Sequence, residues 1–199
     1  YPVFVRQAAK LLSNSGISVA SVAGSFPSGQ SPLSVKLSEV QYAVDEGADE
    51  IDTVISRGAL IEGDVNRVFD ELSAIREVAG SCVLKVILET GELSDNHISQ
   101  ASEIAIKAGA DFIKTSTGKI SVGATIQAAN IMLSEIQKNY KNTGRLVGFK
   151  AAGGISTPEQ ALEYVKLAQS IFGTEYIDKQ YFRIGASRLT GKIFQLLTF

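Results

Sequence analysis

Two lysines stand where lysine is ordinarily a poor choice. Phe112-Ile113-Lys114-Thr115 and Gly148-Phe149-Lys150-Ala151 are short apolar runs of the β-strand kind, and each carries a lysine near its C-terminal end. With a two-residue alternation, Lys114 shares a face with Phe112 and Ser116, and Lys150 shares one with Gly148 and Ala152. If both faces point into one interior, two ammonium groups meet in a partly dry site, where both cannot stay protonated cheaply. The amine that becomes neutral is a nucleophile for a carbonyl carbon. The protonated imine it forms is an electron sink that lets an adjacent carbon–carbon bond break or form. A carboxylate or water must then shuttle protons, and Asp52, in Glu50-Ile51-Asp52-Thr53-Val54, sits near the end of a third such run. The competing reading of Lys114, Lys150 and Asp52 is a structural ion-pair network. Lys85, in Val83-Leu84-Lys85-Val86, reads as a charge partner set lower on its strand.

The rest of the composition narrows the chemistry. With one histidine (His97), one cysteine (Cys82) and no tryptophan, triads of the Ser/His/Asp or Cys/His kind and multi-histidine zinc sites have no material to work with. His97, in a polar stretch just before a helical pattern, reads as a solvated first-turn histidine. Cys82 opens an apolar run and reads as a small buried hydrophobe.

These residues need a scaffold, and the chain repeats one. Strand-like runs at 19–22, 50–55, 83–88, 111–114, 146–150 and 182–185 alternate with helical patterns at 3–12, 32–46, 64–79, 94–108, 125–138, 158–172 and 189–197. Gly47, Gly80 and Gly109 close three of the helices. Successive strand starts lie 31, 33, 28, 35 and 36 residues apart, the length of one strand, one helix and two connections. Gly47-Ala48-Asp49-Glu50-Ile51-Asp52-Thr53 and Gly109-Ala110-Asp111-Phe112-Ile113-Lys114-Thr115 echo each other 62 residues apart, two such units. A uniform series of this kind is an eight-stranded barrel or an open doubly wound sheet. The absence of a dinucleotide fingerprint favours the barrel.

The expected fold class is therefore α/β, a TIM (β/α)8 barrel, with residues 1–199 as a single (β/α) barrel domain. Six clear strands are present where eight are required. Tyr1-Pro2 leads directly into a helical pattern, so the barrel is expected to be N-terminally incomplete, lacking its first strand and most of its second. Such a piece would expose raw sheet edges and is expected to be unstable alone.

Phosphate-binding signals follow the last two strands. Ala152-Gly153-Gly154-Ile155-Ser156-Thr157-Pro158-Glu159 sets two glycines before a Ser/Thr cap and a helix-starting proline, and Ile184-Gly185-Ala186-Ser187-Arg188 repeats the idea. Barrels often bind phosphate at these loops. A simple tight turn is the other reading of Gly153-Gly154. Thr115-Ser116-Thr117-Gly118-Lys119 is not a P-loop, because Ile113 occupies the position that needs the first glycine.

Charge and hydropathy set the surroundings. With 19 Lys and Arg against 21 Asp and Glu, net charge −2, the chain has no field favouring nucleic acid or an anionic membrane. No apolar run is long enough to span a bilayer. The single cysteine and the lack of a signal-peptide pattern lead to the expectation of a reducing, cytoplasmic location.

At Phe112-Ile113-Lys114-Thr115-Ser116-Thr117-Gly118-Lys119 and Val147-Gly148-Phe149-Lys150-Ala151-Ala152-Gly153-Gly154 the sequence resembles the deoxyribose-phosphate aldolases. Ser25-Phe26-Pro27-Ser28-Gly29, Lys85-Val86-Ile87-Leu88-Glu89-Thr90-Gly91-Glu92-Leu93 and Arg183-Ile184-Gly185-Ala186-Ser187 extend the resemblance through essentially the whole chain. It implies a lyase of class I type, without metal or organic cofactor, that reversibly cleaves 2-deoxy-D-ribose 5-phosphate to acetaldehyde and D-glyceraldehyde 3-phosphate in deoxyribonucleotide catabolism. By resemblance Lys114 is the Schiff-base lysine, Lys150 the lysine that perturbs it, and Asp52 the carboxylate of the proton relay. Thr117 and Lys119 face the sugar phosphate, and Gly153, Gly154, Gly185 and Ser187 form the phosphate cradle. The implied partners are the small-molecule sugar phosphate and acetaldehyde, with a homodimer as a possible assembly and no nucleic acid or membrane. Two positions depart from the pattern: Arg188 replaces a second serine, and Ser25 replaces an asparagine. Because the family's first strand and most of the second, with their substrate-contacting acid, are absent, this stretch by itself is expected to be inactive.

Three rivals stand beside that reading. They are a transaldolase-type Schiff-base aldolase that prefers a ketose, a metal-dependent barrel lyase using Asp52, Glu89 and Glu92, and a barrel that binds a sugar phosphate without cleaving it.

Overall fold

The computed structural model describes residues 1–197. A 3-10 turn (Pro2–Phe4) runs into α1 (Val5–Leu12), followed by β1 (Ala20–Val22), α2 (Leu33–Asp45), β2 (Glu50–Val54), α3 (Arg57–Ile61), α4 (Val65–Ala79) and β3 (Val83–Ile87). Then come α5 (Asp95–Lys107), β4 (Phe112–Lys114), α6 (Ile126–Thr143), β5 (Gly148–Ala152), α7 (Pro158–Phe172), β6 (Phe182–Gly185) and α8 (Leu189–Leu197). The chain divides into two compact units: Tyr1–Ile87 with Ile104–Phe112, and Leu88–Glu103 with the described residues from Ile113 onward. No helix among the described residues is long and apolar enough to cross a membrane.

In the first unit β1, β2 and β3 lie side by side and parallel, with Ala20 opposite Glu50 and Glu50 opposite Val83. Every residue of β2 is buried, the condition of a parallel strand covered on both faces. Helices α2 and α4 pack together and bury Val40, Ala43, Leu72 and Ile75. The charged residues of these strands are therefore enclosed, and they are paired: Lys85 Nζ lies 2.5 Å from Glu50 Oε2 and 3.0 Å from Asp52 Oδ1. This is the charge-partner role that its strand position suggests.

The sequence echo has a structural cause. Gly47 and Gly109 both turn the chain out of a helix, at φ 95° and 94°. The next residue donates back to the helix in each case, Ala48 N to Ala43 O and Ala110 N to Ala105 O, both at 3.0 Å. The aspartate that follows then receives a backbone N–H at the start of the neighbouring strand: Asp49 from Val19 at 2.7 Å, Asp111 from Leu84 at 2.8 Å. The Gly-Ala-Asp triplet thus encodes the seam between a helix and the next strand.

In the second unit β5 and β6 pair in parallel, with Lys150 opposite Arg183 and Ala152 opposite Gly185. Helices α6 and α7 cover them over Ala129, Met132, Leu133 and Ala168. Helix α7 begins with a reciprocal cap, Thr157 Oγ1 accepting from Gln160 N while Gln160 Oε1 accepts from Thr157 N, and Pro158 holds the first helical position. Tyr176 is stacked between Phe172 and Tyr181 and donates its hydroxyl to Val147 O at 2.9 Å.

Beyond small shifts at other element ends, the structure departs from the sequence reading in four places. The fifth strand begins at Gly148 rather than 146, because the carbonyls of Arg145 and Val147 are taken by the side chains of Asn139 and Tyr176. Helix α6 continues past 138 to Thr143 and ends at Gly144, φ 74°. Helix α3, one turn after β2, carries no periodicity long enough to read. Cys82 is half-buried rather than buried, its thiol donating to Ala48 O at 3.0 Å. His97 lies in the first turn of α5, as read, and is half-buried.

One buried charge holds α2 and α4 to the segment after β2. Lys36 Nζ, 1% exposed, donates to Glu71 Oε2 and Ser56 Oγ, both at 2.7 Å, and Arg67 donates to the other oxygen of Glu71 at 3.0 Å. Burial pushes the Glu71 carboxyl up, but the hydrogen bonds from Lys36, Ser56 and Arg67 outweigh it and leave the group below the usual carboxylate range. A depressed folded-state value contributes stability above the unfolded carboxylate range and loses it as pH falls through the folded value. Removing one partner of an enclosed pair leaves an uncompensated charge, so Lys36→Met is expected to cost about 3–5 kcal/mol at pH 7 by urea unfolding of the full-length protein. Glu71→Gln should lose stability at pH 7, with its deficit against the parent shrinking as pH falls to about 3.

Candidate active site

The two strand lysines sit at one level. Thr115 N donates to Lys150 O at 3.1 Å, and the Thr115 hydroxyl both donates to Ala152 O and accepts from Ala152 N, each at 2.9 Å. In a parallel ladder this sets Thr115 across from Ala151, and therefore Lys114 across from Lys150 on the same face. On the other side, Leu88 N donates to Lys114 O at 2.9 Å and Thr90 N to Thr115 O at 2.9 Å. Lys114 is 7% exposed, whereas Lys150 is half-buried.

Both lysines open onto a cavity of about 410 Å³. Thr117 and Lys119 from the loop after β4, Gly153 and Gly154 from the loop after β5, and Gly185 and Ser187 from the end of β6 line it as well. Eight of the nine residues singled out from the sequence are thus brought to one cavity. Arg188 lines it too, so Lys114, Lys119, Lys150 and Arg188 give it four cationic side chains and no carboxylate among its lining residues. Asp52 is the ninth. It lies on β2 in the first unit, 3% exposed, with Lys85 as its partner at 3.0 Å.

Glycine shapes the cavity by what it omits. A Cβ on Gly185 would stand 2.9 Å from Ala152 Cβ and 3.3 Å from Lys150 Cε, so its absence leaves room for the lysine stem. Gly153 and Gly154 adopt φ of 94° and 80°, where other residues are strained. The backbone at Gly153 also packs against Gly123, where a Cβ would collide with the Gly153 carbonyl, and Ala124 N donates to Gly153 O at 3.0 Å.

One residue of this region was read from the sequence only as a carboxylate of the metal-dependent rival. Glu89 is fully buried, and its carboxylate accepts Thr117 N at 3.0 Å and the Thr117 hydroxyl at 2.5 Å. The same hydroxyl oxygen accepts Lys119 N at 3.0 Å. Both donors of Thr117 are spent on Glu89, so toward a ligand its hydroxyl offers an acceptor. Among the described residues no group of three or more His, Cys, Asp or Glu side chains is placed to hold a metal ion.

The comparisons agree with this architecture. The family model described as DeoC/LacD family aldolase matches residues 2–191. The chain is 44% identical over 196 residues to the deoxyribose-phosphate aldolases of Homo sapiens and Mus musculus, covering 97% of this chain and 62% of each relative. It thus spans a little under two thirds of the length of these curated relatives. The tetrameric deoxyribose phosphate aldolase of Aeropyrum pernix superposes with a TM-score of 0.78 at 30% identity, over 99% of this chain and 75% of that one. The fold class is accordingly α/β of the TIM-barrel type, with six strands among the described residues. On the extent of the family match and of these similarities, the chain belongs to the DeoC/LacD family of aldolases.

Proposed function

We propose that this chain carries the catalytic lysines of a class I deoxyribose-phosphate aldolase, which cleaves 2-deoxy-D-ribose 5-phosphate to acetaldehyde and D-glyceraldehyde 3-phosphate in the cytoplasm as part of deoxyribonucleotide breakdown. The observation that carries the reading is the pair Lys114 and Lys150, level on adjacent strands and opening on one cationic, glycine-lined cavity.

The Lys114 amine adds to the C1 aldehyde of the open-chain sugar, and loss of water gives the protonated imine. The C2–C3 bond then breaks: its electron pair moves into the imine to give an enamine, the C3 hydroxyl loses its proton, and glyceraldehyde 3-phosphate leaves. Protonation of the enamine at C2 and addition of water release acetaldehyde and restore the amine. Lys150, level with Lys114 on the next strand, is assigned to proton transfer beside the imine. Asp52, held by Lys85, is assigned the proton relay. The phosphate dianion is assigned to Lys119, to the glycine backbone at 153, 154 and 185, and to Ser187, just before the first residue of α8, where helix-end N–H groups favour an anion. Arg188 adds a further cation at the same rim.

Borohydride reduction of the full-length protein with acetaldehyde, followed by peptide mass spectrometry, tests this directly. One adduct is expected, on Lys114, and deoxyribose 5-phosphate should compete it away; an adduct elsewhere, or none, would overturn the assignment. Lys114→Ala should abolish trapping. Lys150→Leu should slow turnover by about 10²–10⁴-fold while leaving the Lys114 adduct trappable. Asp52→Asn should slow turnover by about 10²–10⁴-fold while leaving inhibition by inorganic phosphate within about twofold of the parent.

A further inference from the structure

Glu89 is a buried charge for which the proposed reaction has no use. It sits directly after β3 with φ 60° and ψ 56°, the left-handed region that favours glycine. A glutamate retained in that conformation is held by its surroundings. Here the side chain is what is held: both oxygens reach Thr117, one at the backbone N–H and one at the hydroxyl, and Thr117 in turn accepts Lys119 N.

The contacts continue beyond Thr117. A Cβ on Gly91 would collide with Val122 O, so the segment after Glu89 packs tightly on the loop after β4. That loop reaches Gly153 through Gly123 and the Ala124 N–H. Glu89 therefore lies at the inner end of a run of contacts that passes through Thr117 and Lys119 and reaches the first glycine of the next loop. Thr117, Lys119 and Gly153 all line the cavity; Glu89 does not.

We infer that Glu89 is a positioning residue: its carboxylate holds the Thr117–Lys119 loop in the form that completes the ligand cavity, and fixes the Thr117 hydroxyl as an acceptor. The choice of a sugar-phosphate product as probe rests on the aldolase reading; the positioning role does not. In the full-length protein, calorimetric titration with D-glyceraldehyde 3-phosphate and with inorganic phosphate reads the cavity, while borohydride trapping of acetaldehyde reads Lys114 separately.

Glu89→Gln is expected to weaken glyceraldehyde 3-phosphate binding by at least about fivefold, since one of two charge-assisted acceptors is lost. Thr117→Val should do the same, and Thr117→Ser, which keeps the hydroxyl, should stay within about twofold of the parent. The Glu89→Gln/Thr117→Val double variant should be no weaker than about twofold beyond either single one, because both remove the same link. A folded Glu89→Gln protein with parental affinity, additive effects in the double variant, or Thr117→Ser as weak as Thr117→Val would each overturn the proposal. If Glu89→Gln does not fold, the Thr117 pair decides: a weak valine and tight serine variant supports it, and equal affinities sink it. A parent that traps no acetaldehyde but binds the probes would defeat the aldolase reading and leave the Glu89 comparison intact. A parent that binds neither probe would defeat both.

Discussion

Thr115 spends both functions of its hydroxyl on one residue of the neighbouring strand, donating to Ala152 O and accepting from Ala152 N. That exchange, with the Thr115 N–H on Lys150 O, fixes the register of β4 against β5. A slip of one residue would turn Lys114 to the opposite face of its strand and bury an ammonium among helix side chains. Everything proposed for the site depends on the register holding, since a lysine acts on its neighbour only when the two are level. The polar anchor is economical because it lies in a fully buried position, where an unmet hydroxyl is costly and a met one is worth more than in water.

The charges of the two units are managed differently. In the first unit Lys85 is enclosed between Glu50 and Asp52, and Lys36 is enclosed with Glu71 and Ser56, so each cation has carboxylate or hydroxyl partners at hydrogen-bond distance. The cavity of the second unit is lined by four cations and no carboxylate. Of these, Lys150 is half-buried and Arg188 exposed, so both reach solvent. The arrangement suits an anionic ligand that arrives from water and neutralises the site on binding.

Much of this was legible because it rests on residue types that are rare where they occur. A lysine in an apolar strand stands out against its neighbours, and so do paired glycines before a capped helix start. The Gly-Ala-Asp echo was visible as a repeat, although its reason, an aspartate receiving the first N–H of the adjacent strand, needed the pairing of Asp49 with Val19 and of Asp111 with Leu84. Glu89 was legible only as a carboxylate for the metal-dependent rival, not as a holder of the loop after β4. Nothing in residue order shows that the Glu89 carboxylate, fully buried, reaches a threonine 28 residues away. The strand start at Gly148 was missed for a related reason. Leu146 and Val147 have the composition of a strand, and only the side chains of Asn139 and Tyr176 show that the carbonyls of Arg145 and Val147 are satisfied elsewhere.

The same distinction explains where sequence change is tolerated around the cavity. Within and behind its lining three glycines stand against close neighbours: Gly91 against Val122, Gly123 against Gly153, and Gly185 against the Ala152 Cβ. At each of these points a single added methyl group would force two loops apart, so no side chain can be introduced without moving the lysines or the glycine loop. The outer rim is different. Ser187 and Arg188 are exposed, and a side chain there meets solvent rather than another loop. Arg188, where the family pattern has a serine, can therefore change the charge presented to a ligand without disturbing the register that Thr115 sets or the loop that Glu89 holds. The interior fixes the geometry of the chemistry, and the rim is the part of the site free to adjust how strongly an anion is held.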